Sequence, residues 1–323
     1  MKKVLIIAPE YMGYIVKVAL ELRKCKDVEV IDIHIPVYKY PNIATKFQNL
    51  FLKKISKDLK FKYRENYISE IIGNQSFDTI FIIRPDLFSI IFLKKLKIKC
   101  KIFKTYFFDG VDRFPKKIKT IPLFDEVFSF EPKDCKKYGF TFITNFIYEG
   151  KFKTIYKQNT KYDVFNITSY DRKRYPLLLK IASLLKKQQQ PYKFIVKTEK
   201  KIDNKGLLEI ISESIPLNDV KTYIQESKCM LDLAVIHKHQ GLTFRVFEAM
   251  GLNKKIITNN KDIINYDFYN PQNILVINTE NPVISNHFLN SPYDPVPESI
   301  YKKYTLKSWI RTVFKELFLI SDS

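Results

Sequence analysis

Glycine and cysteine are scarce in this sequence. Its 323 residues include 8 glycines and 4 cysteines. The cysteines form no C-x-x-C pair, and their spacings fit neither a zinc site nor a disulfide framework. They are Cys25, Cys100, Cys135 and Cys229. We therefore expect reduced thiols, as in a cytoplasmic protein, and no bound metal.

Several motifs that mark particular chemistries or locations are absent. The segment APEYMGY (8–14) after the first apolar run is not the G-x-G-x-x-G loop of dinucleotide-binding proteins. No Walker-type phosphate loop or G-x-S-x-G nucleophile elbow occurs either. No apolar run approaches the roughly 18 residues that span a bilayer, and the N-terminal run stops at Pro9, which is short for a signal peptide. We expect a cytoplasmic protein that is soluble or peripheral on the inner face of the membrane.

Positive charge is abundant. The chain has 55 Lys and Arg against 34 Asp and Glu, a formal net charge of +21. This balance favours an anionic partner such as nucleic acid, a membrane surface or a phosphorylated substrate. Lysines spread along the whole chain also fit an ordinary solvated surface. Because no nucleic-acid-binding motif occurs, we expect no nucleic-acid partner, and a basic nucleic-acid-binding protein is the least favoured alternative.

Short apolar runs alternate with longer helical patterns along the chain. Predicted strands of the first half cover 3–9, 28–34, 77–86, 101–110, 125–132 and 140–147. After a polar linker at 148–162, the pattern resumes with strands at 163–169, 192–198, 229–235, 254–258 and 273–278. Near-continuous apolar strands between helices predict parallel sheets covered on both faces. We predict an α/β protein with Rossmann-like domains at 1–150 and 151–303, and a final helix in 304–323.

Ligands of open α/β sheets bind beyond the carboxyl ends of the strands. In the first half, acids in these positions are candidate catalytic residues, as general bases or hydroxyl-binding groups. Each is also a common turn or helix-cap residue, and both interpretations stay open. The candidate catalytic residues are Asp109, Asp112 and Glu131. The candidate acceptor or cleft residues, which follow the first strand, are Glu10, Tyr11 and Gly13.

Three cations follow the first strand of the second half. Arg172, Lys173 and Arg174 stand at the start of a predicted helix, where positive charge opposes the helix dipole. A bound anion would remove this conflict, and the free N–H groups of the helix would add to its binding. Ordinary solvent-exposed side chains are the alternative.

The stretch HKHQGLTFRVFEAMG (237–251) is the most informative in the chain. Apolar residues recur at helical spacing from Leu242, which predicts a buried face on a helix that starts near this residue. Gly241 allows the backbone to approach a ligand, and no acid in the first turn compensates the dipole, so a phosphate would suit this end. Glu248 lies two turns further, where it can accept hydrogen bonds from two ribose hydroxyls. Spacing alone equally allows a salt bridge to Arg245 or a lysine.

The longer stretch QGLTFRVFEAMGLNKKIIT (240–258) resembles the donor-binding motif of GT-B glycosyltransferases of the group-1 type. It is most similar to bacterial enzymes of lipopolysaccharide or capsule biosynthesis, and it is specific over about 229–260. The resemblance implies a GT-B fold, in which two Rossmann-like domains face each other across a cleft and the C-terminal helix at 304–323 returns to the first domain. It also implies metal-independent transfer from a nucleotide-sugar donor to a surface-polysaccharide or lipopolysaccharide-type acceptor. No cofactor is expected beyond the nucleotide sugar as co-substrate, and a sugar-nucleotide epimerase of the same fold is the second candidate.

The resemblance also assigns roles to residues. Glu248 would hold the nucleotide ribose, the amides at 241–243 the diphosphate, and an arginine the charge of the leaving group. Gln240 stands where the family usually has Glu, so its contact with the donor sugar would carry no charge. The implied donor-binding residues are Gln240, Gly241, Leu242, Thr243, Glu248, Arg172, Arg174 and His239.

The acceptors of such enzymes are oligosaccharides or lipid-linked saccharides, which directs attention to the basic region 46–64. It belongs to a predicted long helix at 42–72, and it places Phe47, Phe51 and further apolar residues at four-residue spacing among lysines. Such a helix can lie on an anionic membrane surface. We favour the alternative, in which the apolar stripe packs inward and the lysines face water.

Overall fold

The computed structural model describes residues 1–9, 13–54, 58–150, 160–235 and 240–318, apart from the side chains of Lys53, Lys54 and Lys117. The chain divides into two compact units, Met1–Ile143 with Trp309–Ser323, and Thr144–Ser308. Over the described residues, each unit contains a parallel sheet of six strands. The predicted α/β class with two Rossmann-like domains is confirmed.

The first unit is built from alternating strands and helices. Its strands are β1 (Lys2–Pro9), β2 (Val28–Ile35), β3 (Phe77–Ile83), β4 (Cys100–Phe107), β5 (Glu126–Ser129) and β6 (Thr141–Phe142). Its helices are α1 (Gly13–Leu22), α2 (Ile43–Lys54), α3 (Leu59–Ile72), α4 (Ile90–Ile98) and α5 (Pro132–Tyr138). The strand order is β2-β1-β3-β4-β5-β6. The apolar runs 4–7 and 80–83 are completely buried, as expected of central strands in a parallel sheet covered on both faces.

The second unit has a sheet of order β12-β11-β10-β7-β8-β9, so the order reverses between β7 and β10. Its strands are β7 (Tyr162–Ser169), β8 (Tyr192–Lys197), β9 (Glu209–Ile211), β10 (Ser227–Asp232), β11 (Lys255–Thr258) and β12 (Ile274–Val276). Its helices are α6 (Tyr175–Lys187), α7 (Leu217–Gln225), α8 (Phe244–Gly251), α9 (Asn286–Asn290) and α10 (Glu298–Lys303), and α11 (Leu306–Val313) begins in it. Two consecutive residues of β7 belong to different hydrophobic clusters, Phe165 to one and Val164 to the other. Both faces of this sheet are therefore covered.

Some predicted elements differ in extent from the observed ones. The strand predicted at 140–147 contains only the short β6, because the chain beyond it packs along α8 instead. The helix predicted at 42–72 is two helices, and Asp58 caps the second by accepting a hydrogen bond from the amide of Lys60 at 3.0 Å. In α2, Phe47 is 60% exposed and Phe51 71% exposed, so these two residues of the stripe do not pack inward as we favoured. Within the described ranges, every helix is too short or too polar to span a bilayer.

The C-terminal segment from Trp309 completes the core of the first unit. The Trp309 ring contacts Phe81 and Tyr106 with centroid distances of 6.1 and 5.5 Å. Lys104 of β4 is 0% exposed, and its ammonium group donates to the Val313 carbonyl oxygen at 2.7 Å. This buried cation therefore depends on residues from the other end of the sequence.

Candidate functional site

A cavity of about 470 Å³ lies at the carboxyl ends of the strands in the second unit. Segments that follow β7, β10, β11 and β12 contribute to its wall. Its lining residues include Lys173, Arg174, Lys180, Val235, Asn259 and Thr279. The cavity lies where the strand order reverses, which is the usual ligand position in open α/β sheets. Its volume suits a small-molecule ligand.

The cavity is positively charged. Arg174 is held across the ends of two strands, because its guanidinium group donates to the carbonyl oxygens of Ser169 at 2.6 Å and Leu233 at 3.0 Å. Lys180 lies further along α6 and donates to the carbonyl oxygen of Glu280. Among the described lining residues none is acidic. Lys180 was not predicted as a site residue from the sequence, although its place on the helix that follows Arg174 could have indicated it.

The turn before α6 differs from its prediction. The side chain of Asp171 accepts hydrogen bonds from the amides of Lys173 at 2.9 Å and Arg174 at 3.1 Å. The N–H groups that we expected to be free for an anion are therefore already bonded to an acid. Arg172 is exposed and is not among the residues that line the cavity. An anion here would be bound by cationic side chains.

Thr243 caps helix α8. Its side-chain oxygen accepts a hydrogen bond from the amide of Arg245 at 3.2 Å, and its hydroxyl donates to the carboxyl group of Asp232 at 3.0 Å. Asp232 is buried at the end of β10. Burial raises the pKa of Asp232, although Thr243, Arg174 and Arg245 oppose the shift. Asp232 was not predicted from the sequence, although an acid that ends an apolar strand was a signal that could have indicated it.

Two asparagines hold the loop in front of α8. Asn260 donates to the carbonyl oxygen of Gln240 at 3.0 Å, and Asn145 donates to that of Leu242 at 2.9 Å. In a trans peptide the N–H group points away from the carbonyl oxygen. The amides that follow these two carbonyls therefore point away from the asparagines.

Glu248 is deeply buried, at 2% exposed. One carboxyl oxygen accepts a hydrogen bond from the Tyr148 hydroxyl at 2.5 Å, and the other pairs with Arg245. The salt-bridge interpretation left open by the sequence is therefore present. A carboxylate offers about four acceptor positions, so each oxygen can accept more than one hydrogen bond.

Comparisons with known proteins identify the fold. No protein-family model matches the chain, and no curated protein is similar to it in sequence. The N-terminal domain of trehalose-6-phosphate phosphatase from Candida albicans aligns with a TM-score of 0.59 at 9% identity, over 99% of this chain and 97% of that one. A UDP-forming α,α-trehalose-phosphate synthase from Burkholderia xenovorans aligns with 0.58 at 9% identity, over 100% of both chains. UDP-GlcNAc 2-epimerase from Neisseria meningitidis, bound to UDP-GlcNAc, aligns with 0.53 at 12% identity, over 98% and 100%.

The fold is GT-B. At sequence identities of 9% and 12%, the similarity to these structures shows the fold alone.

The segment 145–150 packs along α8 and explains one glycine of the motif. A Cβ atom on Gly251 would overlap the carbonyl oxygen of Glu149, and one on Gly150 would overlap the carbonyl oxygen of Gly251. Phe146 packs edge-on against Phe244 with a centroid distance of 5.1 Å. Gly251 is therefore required by close contact between two backbones.

The three acids proposed for catalysis follow strands of the first unit. Asp109 pairs with Arg113. Asp112 is exposed and lies 3.4 Å from the ammonium group of Lys133. Glu131 is buried at the N-cap of α5. Of these acids, Glu131 has the environment that is least typical of a solvated turn residue.

The remaining candidates give less information. Gly13 is the first residue of α1, whereas Glu10, Tyr11 and His239 lie outside the described residues. The described residues contain no cluster of His, Cys, Asp and Glu that could hold a metal ion.

Cys100, Cys135 and Cys229 are poor candidates for catalysis. Burial raises the pKa of the Cys229 thiol to about 12 and that of Cys135 to about 11. Cys100 has its pKa raised to about 12 for the same reason. These three thiols are therefore protonated at neutral pH, and a thiol is a weak nucleophile.

Proposed function

We propose that the protein is a glycosyltransferase that moves a sugar from a nucleotide-sugar donor to a polysaccharide or lipopolysaccharide-type acceptor, without a metal ion. The observation that carries the proposal is the cationic cavity of the second unit, where Arg174 and Lys180 line one space at the strand-order reversal. The names of two solved structures with this fold agree with it, since one is a UDP-forming synthase and the other holds UDP-GlcNAc.

In this proposal, the donor diphosphate occupies the cationic cavity. Arg174 and Lys180 neutralise the charge that develops on the leaving phosphate, and the amides before α8 donate hydrogen bonds to it. A preorganised cation is effective because its position costs no rearrangement during the reaction, and Arg174 is already fixed by two carbonyl oxygens. Arg172 has no part in this arrangement, because it is exposed outside the cavity.

The nucleoside and the sugar are assigned to the residues around α8. Glu248, which Tyr148 and Arg245 also contact, accepts hydrogen bonds from the ribose hydroxyls. Gln240 contacts the donor sugar as a neutral amide, so it can both donate and accept a hydrogen bond. Among the three candidate acids of the first unit, we propose Glu131 as the catalytic or acceptor-binding residue.

The decisive experiment is a panel of nucleoside diphosphates and nucleotide sugars, tested by thermal shift and isothermal titration calorimetry. We expect one nucleotide to raise the melting temperature, because a ligand that binds only the folded state stabilises it. The matching nucleotide sugar should then be consumed when a lipid-linked or oligosaccharide acceptor is added. If no member of the panel binds at millimolar concentration, the proposal fails.

A sugar-nucleotide epimerase is the second candidate, because a UDP-GlcNAc 2-epimerase shares the fold over the full length of both chains. Incubation of the identified nucleotide sugar without acceptor separates the two functions. An epimerase produces the isomeric nucleotide sugar, whereas a transferase leaves the donor intact apart from slow hydrolysis.

Glu131→Gln should abolish transfer while preserving donor affinity if Glu131 acts on the acceptor side.

We also propose that the acceptor is lipid-linked and that α2 contacts an anionic membrane surface. Ile43, Phe47, Leu50 and Phe51 are all exposed and share one helical face by their spacing. The helix carries Lys46 and two further lysines and has no acidic residue. An apolar face on a helix that has lysines and no acidic residue matches the interfacial region of an anionic bilayer.

Co-sedimentation with vesicles tests this surface. We expect binding to phosphatidylglycerol-containing vesicles and little binding to pure phosphatidylcholine. The double variant Phe47→Ser with Phe51→Ser should lose binding at least tenfold. Ile98→Ser is the matched control, because Ile98 is equally exposed on α4. Equal binding of the double variant and the wild type would exclude α2 as the contact.

A further inference from the structure

Glu248 receives a hydrogen bond from a residue 100 positions earlier in the sequence. The Tyr148 hydroxyl donates to one carboxyl oxygen at 2.5 Å, while Arg245 pairs with the other oxygen from one turn before on the same helix. The two donors thus act on different oxygens of one buried group. Together they determine the orientation of the carboxyl plane.

Orientation matters for a glutamate because its terminal torsion is broad and has no sharply preferred value. Arg245 pairs with one oxygen, and the hydroxyl of Tyr148 donates to the other. Donors on both oxygens restrict the rotation of the carboxyl group.

Tyr148 is itself held firmly. The main chain of the preceding residue, Ile147, exchanges two hydrogen bonds with the chain near α11, to the carbonyl oxygen of Tyr304 at 2.7 Å and from the amide of Leu306 at 2.9 Å. On the other side, Gly150 lies against the backbone of Gly251. The Tyr148 hydroxyl therefore extends from a backbone that is fixed before and after it.

We infer that Tyr148 is a positioning residue that orients Glu248 for recognition of the ribose hydroxyls of the donor nucleotide. This inference rests on the proposed function. Two vicinal hydroxyls bind well to one carboxylate only when its plane is matched to them. Tyr148 supplies that match without touching the ligand.

A purely structural role for Tyr148 makes a different prediction. If the hydroxyl only satisfies a buried acid, its loss weakens the binding of every nucleotide equally. If it orients Glu248 for ribose, its loss weakens the binding of ribonucleotides and leaves 2′-deoxyribonucleotides nearly unchanged. The ratio of the two affinities is therefore the diagnostic quantity.

The test is calorimetry with UDP, GDP and ADP and with their 2′-deoxy forms. We expect the wild type to bind its preferred nucleoside diphosphate about tenfold more tightly than the deoxy form, as the loss of one hydrogen bond to a charged group implies. In Tyr148→Phe, which keeps the ring, this preference should fall to about twofold or less. Glu248→Gln should show the same loss of preference.

Tyr304→Phe is the matched control. Its hydroxyl also donates to an acid of the second unit, Asp267, at 2.6 Å, and its removal should leave the preference at the wild-type value. A Tyr148→Phe variant that keeps the full preference would overturn the inference and leave the proposed function standing, since the nucleotide still binds. Equal binding of both forms by the wild type would overturn the ribose role of Glu248 and this inference with it. If the wild type binds no nucleotide at all, the proposed function itself fails.

Discussion

The Thr243 hydroxyl and the Asp232 carboxyl group, 3.0 Å apart, join the N-cap of α8 to the end of β10. Asp232 is buried beside Arg174 and Arg245, whose charges reduce the rise in its pKa without cancelling it. The helix that carries Glu248 is thus tied to the strand whose end borders the cationic cavity. This arrangement places a buried acid of unfavourable solvation next to the N-cap of α8.

Asp232→Asn should therefore stabilise the protein at neutral pH. Burial raises the pKa of Asp232, so its carboxyl group stays protonated to a higher pH in the folded state than in the unfolded state. The free energy of unfolding of the wild type therefore falls as the pH rises above about 3.9. Asparagine still accepts the hydrogen bond from Thr243 and carries no charge. Urea unfolding at pH 4.5 and pH 7.5 should show an advantage of the variant that grows with pH. An advantage that is the same at both pH values would contradict this origin.

Gly251→Ala should be strongly destabilising. The added methyl group would overlap the carbonyl oxygen of Glu149, and we expect a loss of about 2–3 kcal/mol in the free energy of unfolding, typical of overpacking. Gly206→Ala is the control, because Gly206 has a φ of +63° with nothing within 4 Å. Its free energy of unfolding should fall by only about 1 kcal/mol, the cost of a non-glycine residue in the left-handed backbone region. Equal losses in urea titrations would show that 145–150 does not pack tightly on α8.

Lys104→Met should destabilise the first unit by about 3–5 kcal/mol, the usual cost of breaking a buried ion pair. The Lys104 ammonium group lies 2.6 Å from the carboxyl group of Glu316 and 3.4 Å from that of Glu126. Adding Glu316→Gln to Lys104→Met should recover part of the loss, because it removes the unpaired acid. Lys101→Met, which breaks an exposed pair with Asp78, should cost less than about 1 kcal/mol. Additive effects of the two changes at 104 and 316 would contradict direct pairing.

Lys180→Gln should weaken the binding of a nucleoside diphosphate about tenfold and leave the affinity for the nucleoside unchanged. The reason is that Lys180 lines the cavity assigned to the phosphates, where a charged hydrogen bond contributes about 1.5–3 kcal/mol. The matched control is Lys187→Gln, at the exposed far end of the same helix. Calorimetry with both ligands measures the effect, and an equal loss for nucleoside and diphosphate would assign Lys180 elsewhere.

The sequence was sufficient for the fold because parallel strands that are buried on both faces appear as continuous apolar runs. The short β9 escaped notice because three residues give no pattern. The helix α8 was found from its apolar spacing, although its first residue lies slightly later than expected. The exposed face of α2 could not be predicted, since spacing defines a stripe and does not say what covers it.

The candidate site was less accessible than the fold. The position of Arg174 followed from its place after a strand, but the bonding of Asp171 to the neighbouring amides depends on side-chain geometry. The bond from Tyr148 to Glu248 joins residues 100 positions apart, which no local pattern reports. Contacts of this kind arise from the path of the folded chain.

The dependence of Lys104 on Glu316 has a consequence for synthesis of the protein. Strand β4 leaves the ribosome long before Glu316 is translated, so during elongation its lysine has no acid from the C-terminal segment to bury against. The ring of Trp309, which covers Phe81 and Tyr106, is equally late. The first unit to be made is therefore the last to be completed, and a nascent chain that stalls before residue 309 should hold an unfinished sheet that chaperones and proteases can recognise.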